Sequence, residues 1–214
     1  MNLVKNAVAA LAVFGATTSA QAITVLTFEG IADSTAVGNY YNGGAGGNLG
    51  IAFSGNTLAL IDQDAGGKGN FANEPSSKTA MFFLTGSSAI LNVAAGFDTG
   101  FSFFYSSSLA ASVSVWSGVN ATGTLLGTLN LDSQYTANNC KGDPTGQYCN
   151  WSAIGVSFAG LARSIDFAGT ANMVAFDDIT FGSATAGGGA SPVPVPATAA
   201  LVGAGMFALL RGKK

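Results

Sequence analysis

Short runs of β-branched and aromatic residues recur from residue 23 to about residue 182, separated by Gly, Asn, Asp and Ser. No stretch there carries a ~3.6-residue apolar period, so the region reads as strands joined by turns. The pattern predicts strands at Ile23–Glu29, Gly50–Phe53, Thr57–Ile61, Thr79–Leu84, Ala89–Val93 and Gly100–Ser106. It predicts further strands at Ser112–Trp116, Leu125–Leu131, Ser152–Phe158, Ser164–Phe167 and Val174–Phe181. Alternation is clearest where Phe101, Phe103 and Tyr105 share one parity, and where Val113 and Val115 alternate with Ser112 and Ser114. Many short strands with frequent turns point to an all-β antiparallel β-sandwich, a jelly roll of lectin or carbohydrate-module type.

The two ends follow other rules. Lys5 precedes an apolar run from Ala7 to about Ala16, which closes on Ala20-Gln21-Ala22. A basic start, an apolar run far shorter than the ~20 residues of a membrane span, and small residues at the cut make 1–22 a signal peptide. Signal peptidase then exposes Ile23. After the sandwich (23–182) comes a Gly- and Ala-rich flexible linker (183–192) and a tail (193–214). In the tail, Pro194-Val195-Pro196 stiffens the chain, Ala197 to Leu210 is uncharged, and Arg211, Lys213 and Lys214 close it. As a helix this segment spans about 21 Å, so it crosses a ~30 Å hydrocarbon core only if the basic end snorkels to the cytoplasmic interface.

The motif Val193-Pro194-Val195-Pro196-Ala197, followed by a small-residue apolar helix and a basic end, resembles the PEP-CTERM sorting signal of exopolysaccharide-producing Gram-negative bacteria. Val195 stands where that family usually has Glu, which makes this tail a VPxPA-like variant. The resemblance implies processing by an exosortase, with an inner-membrane intermediate and then release to the cell surface or extracellular matrix. Which exosortase variant acts on Pro-Val-Pro stays open. Glu29, the Gly69–Ser76 stretch and the Phe176–Ile179 end are also similar to recurring features of exported PEP-CTERM domains.

Composition narrows the chemistry. The 214 residues include no His and two Cys, and only 9% are charged against roughly 25% in an average soluble chain. Histidine-based nucleophile activation and His-ligated metals are excluded. Without signal and tail, Lys68, Lys78, Lys141 and Arg163 face all 11 acids, a net charge of −7. Nucleic acid is therefore not an expected partner.

Cys140 and Cys149 enclose a polar, turn-rich insert, and an even cysteine count in an exported chain predicts a disulfide. Glu29 ends the first strand while Asp177 and Asp178 lie in the last, and first and last strands of jelly rolls commonly pair. These carboxylates are candidate Ca²⁺ ligands. In the alternative, Asp177 accepts backbone N–H bonds at a bulge and Asp178 is solvated. Asp62-Gln63-Asp64-Ala65-Gly66-Gly67 opens like a calcium loop, but its twelfth position is Asn73 and strands flank it, so it reads as a plain loop. For glycan binding by ring stacking and amide hydrogen bonds, the candidates are Tyr40, Tyr41, Phe71 and Asn73; the alternative folds those rings back as lids on the core.

No catalytic residue is assigned. The expectation is an exported, non-enzymatic surface or matrix protein associated with exopolysaccharide. A glycan-binding module with structural Ca²⁺ is the alternative. A glycoside hydrolase using Glu29 or Glu74 with an Asp is the second alternative.

Overall fold

The computed structural model describes residues 23–135, 140, 146–169 and 171–188. The signal segment and the sorting tail lie outside these residues. All secondary structure among the described residues is β, with no helix. Its strands are β1 (Thr24–Leu26), β2 (Thr35–Ala36), β3 (Asn42–Gly44), β4 (Gly47–Asn48), β5 (Ile51–Phe53), β6 (Thr57–Ile61) and β7 (Thr79–Phe83). Then come β8 (Ser88–Phe97), β9 (Gly100–Ser107), β10 (Ala111–Trp116), β11 (Leu125–Leu131), β12 (Ser152–Ser157), β13 (Ala162–Ala168) and β14 (Val174–Phe181).

Every strand the alternation predicts is present. Three more, β2, β3 and β4, lie outside that pattern, because Gly, Asn and Ala supply no apolar alternation to read.

Two antiparallel sheets face each other. The seven-stranded sheet runs β12-β9-β14-β7-β6-β2, with β1 beside β14; the five-stranded sheet runs β11-β10-β13-β8-β5. β3 and β4 form a separate hairpin. Alternating side chains from both sheets meet in one core, which makes this a β-sandwich. Phe101 and Phe103 of β9 pack on Phe167 of β13, and Phe167 packs edge-on against Phe176 of β14 at 4.8 Å between ring centres. Such tilted aromatic pairs contribute roughly 0.5–1.5 kcal/mol each beyond the burial of their area.

First and last strands do pair: Thr24 lies opposite Phe181 and Leu26 opposite Ile179. β1 and β7 share one edge of β14, β7 meeting it at Phe176 and β1 taking over from Ile179. Between them β14 carries a bulge. The register against β9 shifts between Asp177 and Thr180, and Asp178 has φ +49°. One inserted residue reverses the parity of every residue after it in the strand. Phe176 and Ile179 therefore both enter the core, while Asp177 and Thr180 lie buried on the opposite face.

That opposite face is covered by loops. Residues 183–188, expected as the start of a flexible linker, lie across it as a strap. Ser102 Oγ donates to the Ser183 carbonyl at 2.9 Å, and the Gly187 N–H donates to Thr180 Oγ1 at 3.1 Å. Glycines admit the strap: a Cβ on Gly155 would collide with the Ala184 carbonyl. The strap ends beside the first strand, where a Cβ on Gly188 would stand 3.0 Å from Ile23 Cγ2. The start and the end of the described domain are thus neighbours.

Candidate functional site

The carboxylates come first, since so few are present. Glu29 follows Phe28, whose φ of +62° turns the chain out of β1. Glu29 Oε1 accepts the N–H groups of Lys78 at 3.0 Å and Thr79 at 2.8 Å. Asp177, fully buried, accepts the Ser76 N–H at 2.8 Å on Oδ2, the Ser76 hydroxyl at 2.7 Å on Oδ1, and the Asp178 N–H at 2.7 Å. Glu29 and Asp177 therefore converge on one segment, Ser76–Thr79. Asp177 acts as the bulge acceptor, the alternative to a calcium ligand. Asp178 is half-buried rather than solvated.

Burial pushes the pKa of Asp177 up to about 7, against the lowering effect of its Ser76 donors. Burial likewise raises that of Asp178. A carboxyl whose oxygens hold three backbone N–H or hydroxyl donors is built to fix a loop. Among the described residues, no group of three or more His, Cys, Asp or Glu is arranged to hold a metal ion. In the Asp62–Gly69 loop the carbonyls serve the loop itself: Gly67 N–H donates to the Asp62 carbonyl at 2.9 Å and Gln63 N–H to the Gly69 carbonyl at 3.0 Å.

Asp33 carries a role that the sequence pattern does not single out. Its Oδ1 accepts the Ile61 N–H at 3.0 Å and the Lys68 N–H at 3.4 Å, which ties this loop to the start of the domain. Burial alone would raise its pKa, but those donors and the Ser34 hydroxyl outweigh it and hold it below the usual range. The scarcity of acids that singles out Glu29 and Asp177 applies equally to Asp33.

The predicted sugar-contact rings have other work. Tyr41 is 7% exposed, its hydroxyl accepts the Phe28 N–H at 2.9 Å, and its ring meets Phe28 and Phe53. Tyr40 is half-buried, stands edge-on to Tyr41, and donates to the Glu29 carbonyl at 3.2 Å. Phe71 is 1% exposed and packs edge-on against Trp151. Tyr41 and Phe71 offer no free ring face to a sugar: they are lids, and the expectation for these two is corrected accordingly. Asn73 is exposed, and its Nδ2 donates to the Cys149 carbonyl at 3.4 Å.

Phe71 belongs to a second, smaller apolar cluster on the strap side of the seven-stranded sheet, with Ala80, Ala175, Leu60, Tyr148 and Trp151. Residues 70–72 and 146–148 lie side by side over it, the Ala72 N–H donating to the Tyr148 carbonyl at 3.1 Å. Cys149, the next residue, is bonded to Cys140 with 5.3 Å between their Cα atoms, as predicted.

Beside this cover lies a shallow notch of about 30 Å³, floored by Leu60, Phe82, Val174 and Ala175 and rimmed by Asn70, Tyr148 and Asn172. The exposed Tyr135 ring leans on Tyr148 at 5.2 Å, and its hydroxyl donates to Gln147 Oε1 at 3.2 Å. Asn70 Nδ2 donates to the same oxygen at 3.4 Å. The result is an uncharged ledge of phenols and carboxamides around a hollow with room for about two waters or hydroxyl groups. Asn172, with φ +64°, carries no sequence signal beyond the tolerance of Asn for that conformation.

No protein-family model and no curated protein matches the chain. Among solved structures, a family 29 carbohydrate-binding module is similar at 11% identity and TM-score 0.41, over 81% of this chain and 100% of that one. A family 6 carbohydrate-binding module from Clostridium stercorarium, solved with cellobiose, is similar at 16% identity and TM-score 0.39, over 74% and 92%. A family 43 arabinoxylan arabinofuranohydrolase from Bacillus subtilis is similar at 21% identity and TM-score 0.40; the match covers 61% of this chain and 25% of that enzyme. The chemistry of the site rests on its own residues.

Proposed function

We propose that this chain is an exported, non-enzymatic protein of a Gram-negative cell surface or extracellular matrix. It is carried by a jelly-roll-type sandwich and delivered by an exosortase acting on the 193–214 tail. Signal peptidase removes 1–22, and the tail helix holds the intermediate in the inner membrane until it is processed. The Cys140–Cys149 bond carries this reading, because such bonds form and persist in oxidising compartments outside the cytoplasm. The carboxylates support the non-enzymatic part. Of the two that converge, Asp177 is fully buried with both oxygens held by Ser76 and Asp178, and Glu29 Oε1 accepts the Lys78 and Thr79 N–H groups.

Fractionation of paired strains tests this proposal. With its exosortase present, the protein is expected at the surface or in the matrix; with the exosortase deleted, it should stop in the inner membrane with its tail attached. Equal surface delivery in both strains would overturn the sorting assignment.

The ledge favours a second reading, contact with a neutral glycan. A phenol face at Tyr135 and amides at Asn70, Gln147 and Asn172 match the stacking and hydroxyl-bonding needs of an uncharged sugar. Titration with neutral oligosaccharides, read by Tyr and Trp fluorescence, should give saturable binding that Tyr135→Ala abolishes. No binding by the wild type across a panel of neutral glycans would remove this reading and leave the export assignment standing.

A further inference from the structure

We infer that the β11/β12 side of the sandwich is a self-association surface, where a second copy of this chain continues both sheets at once. Each sheet has two ends, and the two sides of the molecule treat them differently. On one side the end strands are short, β2 with two residues and β5 with three. The outer N–H groups of β5 are taken up by a loop, Phe53 donating to the Gly38 carbonyl at 2.9 Å and Ile51 to the Tyr41 carbonyl at 3.5 Å. Short strands and a covering loop are ordinary ways to close a sheet edge.

On the other side stand β11, with seven residues, and β12, with six. Among the described residues no strand pairs with the outer edge of either. Neither strand carries a charge or a proline, the usual devices that keep an edge solitary. The sequence has no Asp, Glu, Lys or Arg from Thr99 to Leu131, and none from Pro144 to Ala162. Both edges therefore lie inside uncharged stretches of a domain that is acidic as a whole. Two acidic copies repel each other over most of their surface; here they meet with no like charges opposed. Leu125, at the start of β11, is 49% exposed and adds apolar area to the same side.

The occupant is a second copy because the two edges are stacked. A Cβ on Gly127 of β11 would meet the Val156 side chain of β12 at 3.1 Å, so the edges of the two sheets lie against each other. A two-fold axis perpendicular to the sheets then sets β12 antiparallel to its own copy and β11 antiparallel to its own copy in one contact. A single foreign strand would satisfy one edge and leave the other open.

Sedimentation of the full chain in its exported form tests this. The wild type should sediment as a dimer whose weight-average mass falls on dilution. Ala153→Lys combined with Thr128→Lys, both at exposed edge positions, should halve the mass while the cooperative melting transition is kept. Amide exchange on the wild type supplies a readout free of mutation: protection over 152–157 and 125–131 should rise with concentration. A wild type that stays monomeric overturns the inference. So does a dimer that survives both lysines, or an exchange pattern at these strands that is independent of concentration.

Discussion

Asp177 and Glu29, remote in sequence, grip the two ends of the same short segment: Asp177 Oδ2 accepts the Ser76 N–H and Glu29 Oε1 the Thr79 N–H, each at 2.8 Å. The segment leads directly into β7, which meets β14 beside the bulge that places Asp177. Two scarce acids thus tie the first turn of the domain and its last strand to one turn between them.

The burial of Asp177 predicts the direction of pH dependence. Its folded-state pKa of about 7 lies above the ordinary carboxylate value of 3.8, so the folded protein binds the proton more tightly than the unfolded chain. Stability is then greatest near the lower value and declines as pH rises from about 4 to about 7, by roughly 2–4 kcal/mol. Asp178 and Asp166, raised mainly by burial, act in the same direction. Asp33, held low, opposes them only below about pH 4. Denaturant midpoints measured from pH 4 to 8 should fall for the wild type and flatten in Asp177→Asn. A wild-type curve that rises over that range contradicts the assignment.

Tyr41→Phe isolates one hydrogen bond. The Phe28 N–H is buried and donates to the Tyr41 hydroxyl, so losing that oxygen leaves a buried donor unsatisfied. The expected cost is about 1–3 kcal/mol in urea unfolding, with the ring packing retained. A change within experimental error would mean that water or another carbonyl replaces the phenol.

Chelation should leave this domain unchanged. Glu29 and Asp177 are engaged by backbone donors, so EDTA is expected to leave the melting midpoint where it was. A midpoint that falls with EDTA and returns with Ca²⁺ would reinstate these two carboxylates, with Asp178, as ligands.

The strap depends on a missing side chain. Gly155→Ala drives a methyl group into the Ala184 carbonyl and should lift residues 183–188 from the sheet. The expected loss is about 1–3 kcal/mol, with faster amide exchange at Gly187. Unchanged exchange there would show that the strap accommodates the methyl group.

The strands are legible in the sequence because their alternation is local. Thr57–Ile61, Leu125–Leu131 and Val174–Phe181 run between the ends that pattern predicts. The bulge in β14 enters the sequence reading only as one of two alternatives for Asp177: regular parity assigns that residue to the side of Ile179 and Phe181, and one inserted residue moves it across the sheet. Phe71 and Trp151 show the other limit. An aromatic in a polar loop looks the same in sequence whether it meets solvent or closes over a second cluster. Only the pairing of 70–72 with 146–148, some 75 residues away in the chain, decides it. Asn70 and Tyr148 read as loop residues, but their meeting with Asn172 at one hollow depends on three distant loops.

The intact mass of the protein recovered from the surface or matrix tests export and sorting most directly. A chain that begins at Ile23, has lost residues beyond the Pro194-Val195-Pro196 region and carries the oxidised Cys140–Cys149 pair is the expected result. A protein recovered from the cytoplasm with Met1 to Lys214 intact and both thiols reduced would contradict the account.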